Sequence, residues 1–186
     1  MGTTTSPILK SDKLILKELT SSDVTQQYIE WLNDFEVNKY LESRFIHQDE
    51  YTVKAFVKAC QYSELHFLFG MFLQGSMKHI GNIKLSTINM HHNHAEIGLM
   101  IGDKNAWGKG YASSAISLVT QFGFYQLKLD KISAGCYENN VGSKRAFEKS
   151  GYKVEGFLRN HVEFNGTRQG VWKLGCIQSD LALYTE

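Results

Sequence analysis

The first third of the chain alternates apolar and polar stretches in a pattern that predicts one strand and two helices. Residues 14–16 are apolar and lie between lysines, which favours a strand. Ser22 and Asp23 can cap the start of a helix. The apolar positions of that helix are Val24, Tyr28, Ile29 and Leu32. A second amphipathic helix is predicted over residues 49–62, with one face formed by Val53, Phe56, Val57 and Cys60.

Three strand-like runs follow these helices. They cover residues 65–73, 80–88 and 95–101, and short polar segments separate them. Because links of this length join neighbouring antiparallel strands, the three runs predict a meander.

The pattern changes at residues 107–110, where the segment Trp-Gly-Lys-Gly precedes a long helical stretch. The helix has a narrow face of small and apolar side chains, namely Ala112, Ala115, Ile116, Val119, Phe122 and Gly123. A strand at 132–137, a helix at 141–149 and strands at 152–162 and 167–177 are predicted after it. Asn165 and Gly166 form a strong hairpin signal between the last two strands. The order predicts a single mixed α/β domain over residues 1–186.

Composition narrows the range of functions. The chain has 186 residues, a formal charge of +1 and 42% hydrophobic residues. Lysine and arginine are spread along the chain, so the sequence gives no indication of a nucleic-acid or membrane partner. Three distant cysteines without a CxxC pair favour a reduced, cytoplasmic setting over a disulfide framework or a zinc site. Residues 1–10 lack the hydrophobic core of a signal peptide, so no export is expected.

Two segments are candidates for chemistry. Gly108 and Gly110 stand at a helix start, where free backbone N–H groups can hold a phosphate; a tight turn with glycine for conformation alone is the alternative. Asn140 can cap the next helix, and its amide could also pair with an extended ligand.

Together these segments resemble the GNAT acetyltransferases over most of the chain, nearest the ribosomal-protein N-terminal and amino-sugar acetyltransferases. The family's acyl-CoA loop, Arg/Gln-x-x-Gly-x-Gly/Ala, is similar to residues 105–110, with Asn105 in place of Arg or Gln. Its second motif matches Asn140, Ser143 and Gly151-Tyr152, but Phe147 replaces the tyrosine that usually serves as general acid.

The resemblance implies a GNAT fold: a mixed α/β (α+β) domain with a mostly antiparallel twisted sheet of about seven strands, splayed in the middle and flanked by about four helices. It also implies that acetyl-CoA is the co-substrate, that no metal is needed, and that pantetheine lies between residues 96–101 and 132–137. The cofactor-binding residues expected from it are Met100, Ile101, Asn105, Trp107, Gly108, Lys109, Gly110, Tyr111, Ala112, Asn140 and Ser143.

The general base is expected at the head of the cofactor strand. Glu96 is the first candidate, acting through water, and His94 is the competing base. His91, His92 and His94 could suggest a metal site, but no carboxylate or cysteine stands at ligand spacing, which favours a solvated turn.

The resemblance also places a substrate rim in the N-terminal half, with Trp31, Glu42 and Arg44 as candidate substrate-binding residues. The interpretation is an N-acetyltransferase that moves acetyl from acetyl-CoA directly to a primary amine. The acceptor is a small molecule, with a nucleotide-linked amino sugar as one candidate, or a peptide N-terminus; a homodimer is left open. The alternative is an acetyl-CoA-binding module without turnover.

Overall fold

The computed structural model describes residues 7–181, so residues 1–6 of the N-terminal stretch discussed above and residues 182–186 lie outside the described part. Its strands are β1 (Ile8–Lys10), β2 (Leu14–Glu18), β3 (Phe67–Leu73), β4 (His79–Asn89), β5 (His94–Ile101), β6 (Lys131–Tyr137), β7 (Lys153–Phe164) and β8 (Thr167–Ile177). Its α-helices are α1 (Gln26–Asn33), α2 (Phe35–Asn38), α3 (Glu50–Gln61), α4 (Tyr111–Tyr125), α5 (Val141–Lys149) and α6 (Gln178–Leu181). Short 3-10 turns cover Ser21–Asp23, Glu42–Phe45 and Lys104–Ala106.

The strands form one sheet of eight in the order β1-β2-β3-β4-β5-β6-β8-β7. All neighbours are antiparallel except β5 and β6, which run parallel. Their pairing covers only His94–Lys131, Ala95–Ile132 and Glu96–Ser133. Beyond Glu96 the two strands part, so the sheet is splayed in its middle, as the family resemblance predicts.

Helices cover both faces of the sheet. Because side chains alternate along each strand, one strand can contribute to a core on either face. On one face α4 packs on a core that includes Phe69, Ile97, Ile116 and Phe122. On the other face α1 and α3 enclose a second core, which includes Leu68 and Met100. Strand β5 therefore contributes to both cores and lies between the two layers of helices.

Side chains cap the starts of α1 and α3. Asp49, the first residue of the predicted second helix, precedes α3 and caps it by accepting from the backbone N–H of Thr52. The predicted cap of the first helix was wrong. Ser22 and Asp23 instead form a 3-10 turn, and the side chain of Thr25 caps α1 by accepting from the N–H of Tyr28.

Several short elements escape the periodicity. Strand β1 adds an eighth strand with only Leu9 buried, and α2 and α6 have four residues each. Phe56 was assigned to the buried face of α3 but is 44% exposed, because it turns toward a cavity beside β4. The longer predicted elements are all present, within a few residues at their ends.

Candidate active site

Two cavities lie on either side of β5. The first cavity, of about 440 Å³, opens between β5, the start of α4 and α5. The second cavity, of about 420 Å³, opens between β4, β5, α1 and α3. Leu41, Leu99 and Met100 line both. A ligand in one cavity can therefore meet a ligand in the other beside Leu99 and Met100.

The start of α4 forms the polar end of the first cavity. Gly108 and Gly110 adopt left-handed backbone conformations with φ of 73° and 81°, which side chains with a Cβ rarely tolerate. Gly110 is the N-cap residue and no side chain caps the helix. The first N–H groups of α4 thus have no partner within the helix and form the positive end of the helix dipole. This end of the helix is a suitable environment for a pyrophosphate.

The walls of the first cavity add fixed contacts and positive charge. The indole N–H of Trp107 donates to the carbonyl of Ile101 at 2.8 Å, which closes the loop between β5 and α4. Asn140 caps α5 through its Oδ1, which accepts from the N–H of Ser143 at 3.2 Å. Three basic side chains, Lys39, Arg145 and Lys149, also line this cavity. A chain of glycine N–H groups flanked by cations fits the anionic groups of acetyl-CoA.

Most of the expected cofactor-binding residues lie together here. The first cavity is lined by Met100, Ile101, Trp107, Gly108, Gly110, Tyr111, Ala112, Asn140 and Ser143. Asn105 and Lys109 lie in the same loop but are exposed outside the lining.

The second cavity has apolar walls and one buried amide. Asn82 on β4 is 5% exposed. The Nε2 atom of His79 lies 2.8 Å from Asn82 Oδ1 and 3.0 Å from the carbonyl oxygen of Gly81. Because a carbonyl can only accept, His79 Nε2 carries the proton and Asn82 Oδ1 accepts it. The Asn82 Nδ2 group therefore points away from His79. It is buried beside the side chain of Tyr28, which also lines the cavity, and it makes no hydrogen bond of normal geometry with a described residue.

Two residues further along β4, Lys84 also lines the second cavity. Its Nζ lies 5.2 Å from the centre of the Phe56 ring, in a cation–π contact. Lys84 pairs with Gly98 across the β4–β5 ladder, and a Cβ built on Gly98 would meet nothing within 4 Å. The cavity wall at Gly98, across the ladder from Lys84, is thus open.

A polar cluster closes the rim of the second cavity. The Tyr137 hydroxyl donates to Glu42 Oε1 at 2.5 Å and accepts from Arg44 at 2.9 Å. Arg44 also donates to the carbonyl of Glu163 on β7 at 2.9 Å. Burial, followed by the neighbouring Glu42 carboxylate, raises the pKa of Tyr137, so this residue stays a neutral donor. Of the expected substrate residues, Glu42 lines the second cavity, whereas Arg44 lines a separate pocket and is joined to Glu42 through the Tyr137 hydroxyl.

The candidate bases lie where β5 and β6 part. The Glu96 side chain is 40% exposed, and its Oε1 is 3.6 Å from Lys173 Nζ. Glu96 shares a face of β5 with Gly98 and Met100, which line the second cavity. His94 lies two residues further from the cavity, and its ring stacks near His92 at a centroid distance of 6.1 Å.

Two aromatic residues of the sequence analysis lie in the core. Phe147 is 1% exposed and packs edge-on against Tyr152, whose hydroxyl is 2.8 Å from Thr120 Oγ1. Trp31, expected at the substrate rim, is 7% exposed and packs against His79. Neither ring lines either cavity.

Within residues 7–181 no cluster of three or more His, Cys, Asp or Glu side chains could hold a metal ion. In the same part of the chain no helix is both long and apolar enough to cross a bilayer.

Asn82 and Lys84 were not predicted as site residues. Their signal was present, because the polar residues Asn82, Lys84 and Ser86 alternate with the fully buried Ile83 and Leu85. Such alternation predicts a second face but not what covers that face.

Comparison with known proteins agrees with this geometry. A family model described as an acetyltransferase (GNAT) domain matches residues 13–153. An uncharacterised N-acetyltransferase of Bacillus subtilis, YoaA, is 34% identical over 165 residues, which covers 87% of this chain and 91% of the relative.

Solved structures show the same fold. The spermidine N-acetyltransferase of Vibrio cholerae in complex with CoA and spermine has a TM-score of 0.83 at 22% identity and covers 92% of this chain and 99% of its own. RimL, a ribosomal L7/L12 alpha-N-protein acetyltransferase in complex with coenzyme A, has a TM-score of 0.81 at 17% identity, with 92% and 98% covered.

Proposed function

The chain belongs to the GNAT acetyltransferase family and is an acetyl-CoA-dependent N-acetyltransferase. We propose that its acceptor is the primary amine of a small molecule bound in the second cavity. The observation that carries the proposal is the meeting of the two cavities at Leu99 and Met100. A cavity of about 420 Å³ suits a small ligand. A nucleotide-linked amino sugar is a finer candidate within this class, and a peptide N-terminus is the alternative acceptor. The narrower likeness to the ribosomal-protein and amino-sugar group stays a prediction.

The proposed roles on the cofactor side follow from the first cavity. The N–H groups that follow Gly110 hold the pyrophosphate, and Arg145 and Lys149 supply charge beside it. Pantetheine lies along β5 beyond Glu96, where the strand has no β6 partner. Backbone groups near Met100 and Ile101 then bind the pantetheine amides, and a backbone N–H of β5 stabilises the oxyanion.

In the proposed reaction the neutral amine attacks the thioester carbonyl. The new bond joins the amine nitrogen to the acetyl carbon, the carbon–sulfur bond breaks, and the amine proton passes through water to Glu96. The thiolate of CoA leaves and takes a proton from water. No protonated side chain is required, because the CoA thiolate is a far weaker base than the nitrogen anion that would otherwise have to leave the tetrahedral intermediate.

Direct transfer is supported by the state of the cysteines. Cys60, Cys136 and Cys176 are all buried. Burial raises the pKa of each thiol, in the case of Cys176 to about 12. Since the thiolate is the nucleophile, these residues are unsuited to form an acyl-enzyme.

The test combines turnover with binding. Wild-type protein is expected to release CoA thiol with at least one amine of a broad panel, and Glu96→Gln is expected to lose about 10²–10⁴-fold in turnover while it binds acetyl-CoA normally. Glu155→Gln is the matched control, because Glu155 is a similarly exposed carboxylate on β7, paired with Lys131. Wild-type turnover in Glu96→Gln would transfer the role of base to His94 or to solvent. Acetyl-CoA binding without thiol release from any amine would favour a binding module.

A homodimer is also part of the proposal. Strand β7 ends the sheet, and its exposed side chains include Val154, Phe157 and Leu158. An unpaired edge that carries apolar side chains is suited to pairing with a second copy. Light scattering after gel filtration would show twice the chain mass of 21.2 kDa, and a monomer would refute it.

A further inference from the structure

We propose that Asn82 and Lys84 make the second cavity selective for amines that carry an anionic oxygen group, a carboxylate or a phosphate, and that the cavity discriminates against simple polyamines. The inference rests on the proposed function, because it names the acceptor class of the same cavity.

One donor in the cavity wall is not satisfied by a hydrogen bond of normal geometry. The Asn82 Nδ2 group is buried in this wall beside the Tyr28 side chain, and the Gly81–His79 contacts fix its orientation. A buried donor left without a partner costs free energy, so a ligand that supplies an acceptor atom there gains affinity. A carboxylate or phosphate oxygen can accept this hydrogen bond, whereas a protonated polyamine offers only donors.

The charges in the cavity lining favour the same class of amine. Among the residues that line the second cavity, Glu42 carries the one carboxylate and Lys84 the one ammonium group. Glu42 already accepts from Tyr137. A polyamine would bring two or more positive charges to a site that has a cation of its own, whereas an anionic amine places its negative group near Lys84.

The positions of Asn82 and Lys84 on β4 also fit an anionic amine. Asn82 pairs with Met100 and Lys84 pairs with Gly98 across the β4–β5 ladder. Asn82 is therefore opposite the point where the cavities meet, and Lys84 is one same-face step away, about 7 Å along a strand. Gly98 leaves the cavity wall across the ladder from Lys84 open. An amine that attacks near Met100 can thus place an anionic group between these donors when its nitrogen and its anionic group are separated by only a few bonds.

Matched substrate pairs test the proposal. Leucine is compared with 3-methylbutylamine, which lacks the carboxylate, and glucosamine 6-phosphate with glucosamine, which lacks the phosphate; spermidine represents the polyamines. In wild-type protein the anionic member of at least one pair is expected to have the higher kcat/KM, by about tenfold or more, equal to about 1.4 kcal/mol. The pair that shows the preference identifies the carboxylate or the phosphate as the ligand group.

Variants then locate the preference. Lys84→Met keeps the aliphatic stem against Phe56 and is expected to reduce the ratio of kcat/KM between the anionic and the uncharged member of a pair about tenfold. Lys84→Glu is expected to raise the activity on spermidine relative to leucine. Lys10→Met removes an exposed lysine from β1, at the far edge of the sheet, and should leave every ratio unchanged. Asn82→Leu tests the second donor, with a thermal melt to confirm that the variant folds.

A binding measurement separates this inference from the proposed function. Each member of the pairs is titrated by calorimetry into protein saturated with CoA, which needs no turnover. Tighter binding of the anionic members, lost in Lys84→Met, supports the inference even if no amine is acetylated, a result that would count against the proposed function alone. Equal binding within both pairs, or a preference for spermidine that Lys84→Met leaves unchanged, would overturn the inference.

Discussion

Phe147 stands where the second motif of the family resemblance usually has a tyrosine, and its environment is that of a packing residue. Its ring is 1% exposed and contacts Tyr152. An added hydroxyl would enter this core, and an unsatisfied buried hydroxyl costs about 1–3 kcal/mol. We therefore expect Phe147→Tyr to lower the free energy of unfolding with no gain in the rate of thiol release, measured by denaturation and by a thiol assay on the same preparation.

The reference for that change is Phe69→Tyr, because Phe69 is also fully buried and belongs to the same core. Similar losses in both variants would identify Phe147 as a core residue. A faster and undamaged Phe147→Tyr enzyme would instead show that the site lacks an acid which tyrosine can restore.

Single residues were the least predictable level of this molecule. The glycines of the α4 turn could be identified because chain position alone gives their role. Asn82 could not, since its importance depends on His79 and Gly81, which orient its amide. Trp31 was placed at a rim because it is aromatic and near charged residues, but its ring fills the space that the absent side chain of Gly102 leaves open.

At the scale of one element, the start of α4 carries the strongest prediction. Gly110→Val is expected to raise the dissociation constant of acetyl-CoA at least about tenfold, roughly 1.4 kcal/mol, because a Cβ would strain the turn and keep the pyrophosphate away from the N–H groups. Calorimetric titration measures this.

Strain alone is controlled by Gly75→Val. Gly75 also has a positive φ, 91°, but it lies in the turn between β3 and β4 and its Cβ would meet nothing within 4 Å. That variant should lose stability and keep its affinity. An unchanged affinity in a folded Gly110→Val protein would contradict the assignment of the pyrophosphate to this turn.

Elements were predictable in proportion to their length. The apolar faces of α3 and α4 repeat over several turns, so the signal accumulates. Strand β1 buries only Leu9, and α2 makes a single turn, so neither is long enough to show a period. These short pieces owe their conformation to neighbours, which the sequence does not reveal.

For the whole molecule, we expect acid to destabilise the fold in two stages. Burial lowers the pKa of His79 below 6.5, so the unfolded chain takes up that proton first and stability falls as the pH drops below about 6.5. Burial acts in the same direction on His66. Lys78 lowers the pKa of Asp103, and Lys153 lowers that of Asp180. The stability that these two carboxylates contribute is therefore fully present above the unfolded-state pKa of 3.8 and is lost as the pH falls below it.

Urea unfolding between about pH 7.5 and about pH 5 would measure the first stage. His79→Gln keeps a side-chain donor for Asn82 and should flatten that part of the curve, whereas the loss at lower pH should persist. A pH dependence identical to wild type would show that the His79 environment does not set acid stability.

The splay between β5 and β6 also divides the sheet into two half-sheets, which are formed by consecutive parts of the chain. The described residues before β6 build β1 to β5, those from Lys131 onward build β6 to β8, and three residue pairs join the two half-sheets. In the proposed binding mode a nucleotide thioester in the gap would touch both halves, so its binding free energy would be added to that of folding. We therefore expect the empty protein to be cleaved faster by proteases than the protein loaded with acetyl-CoA.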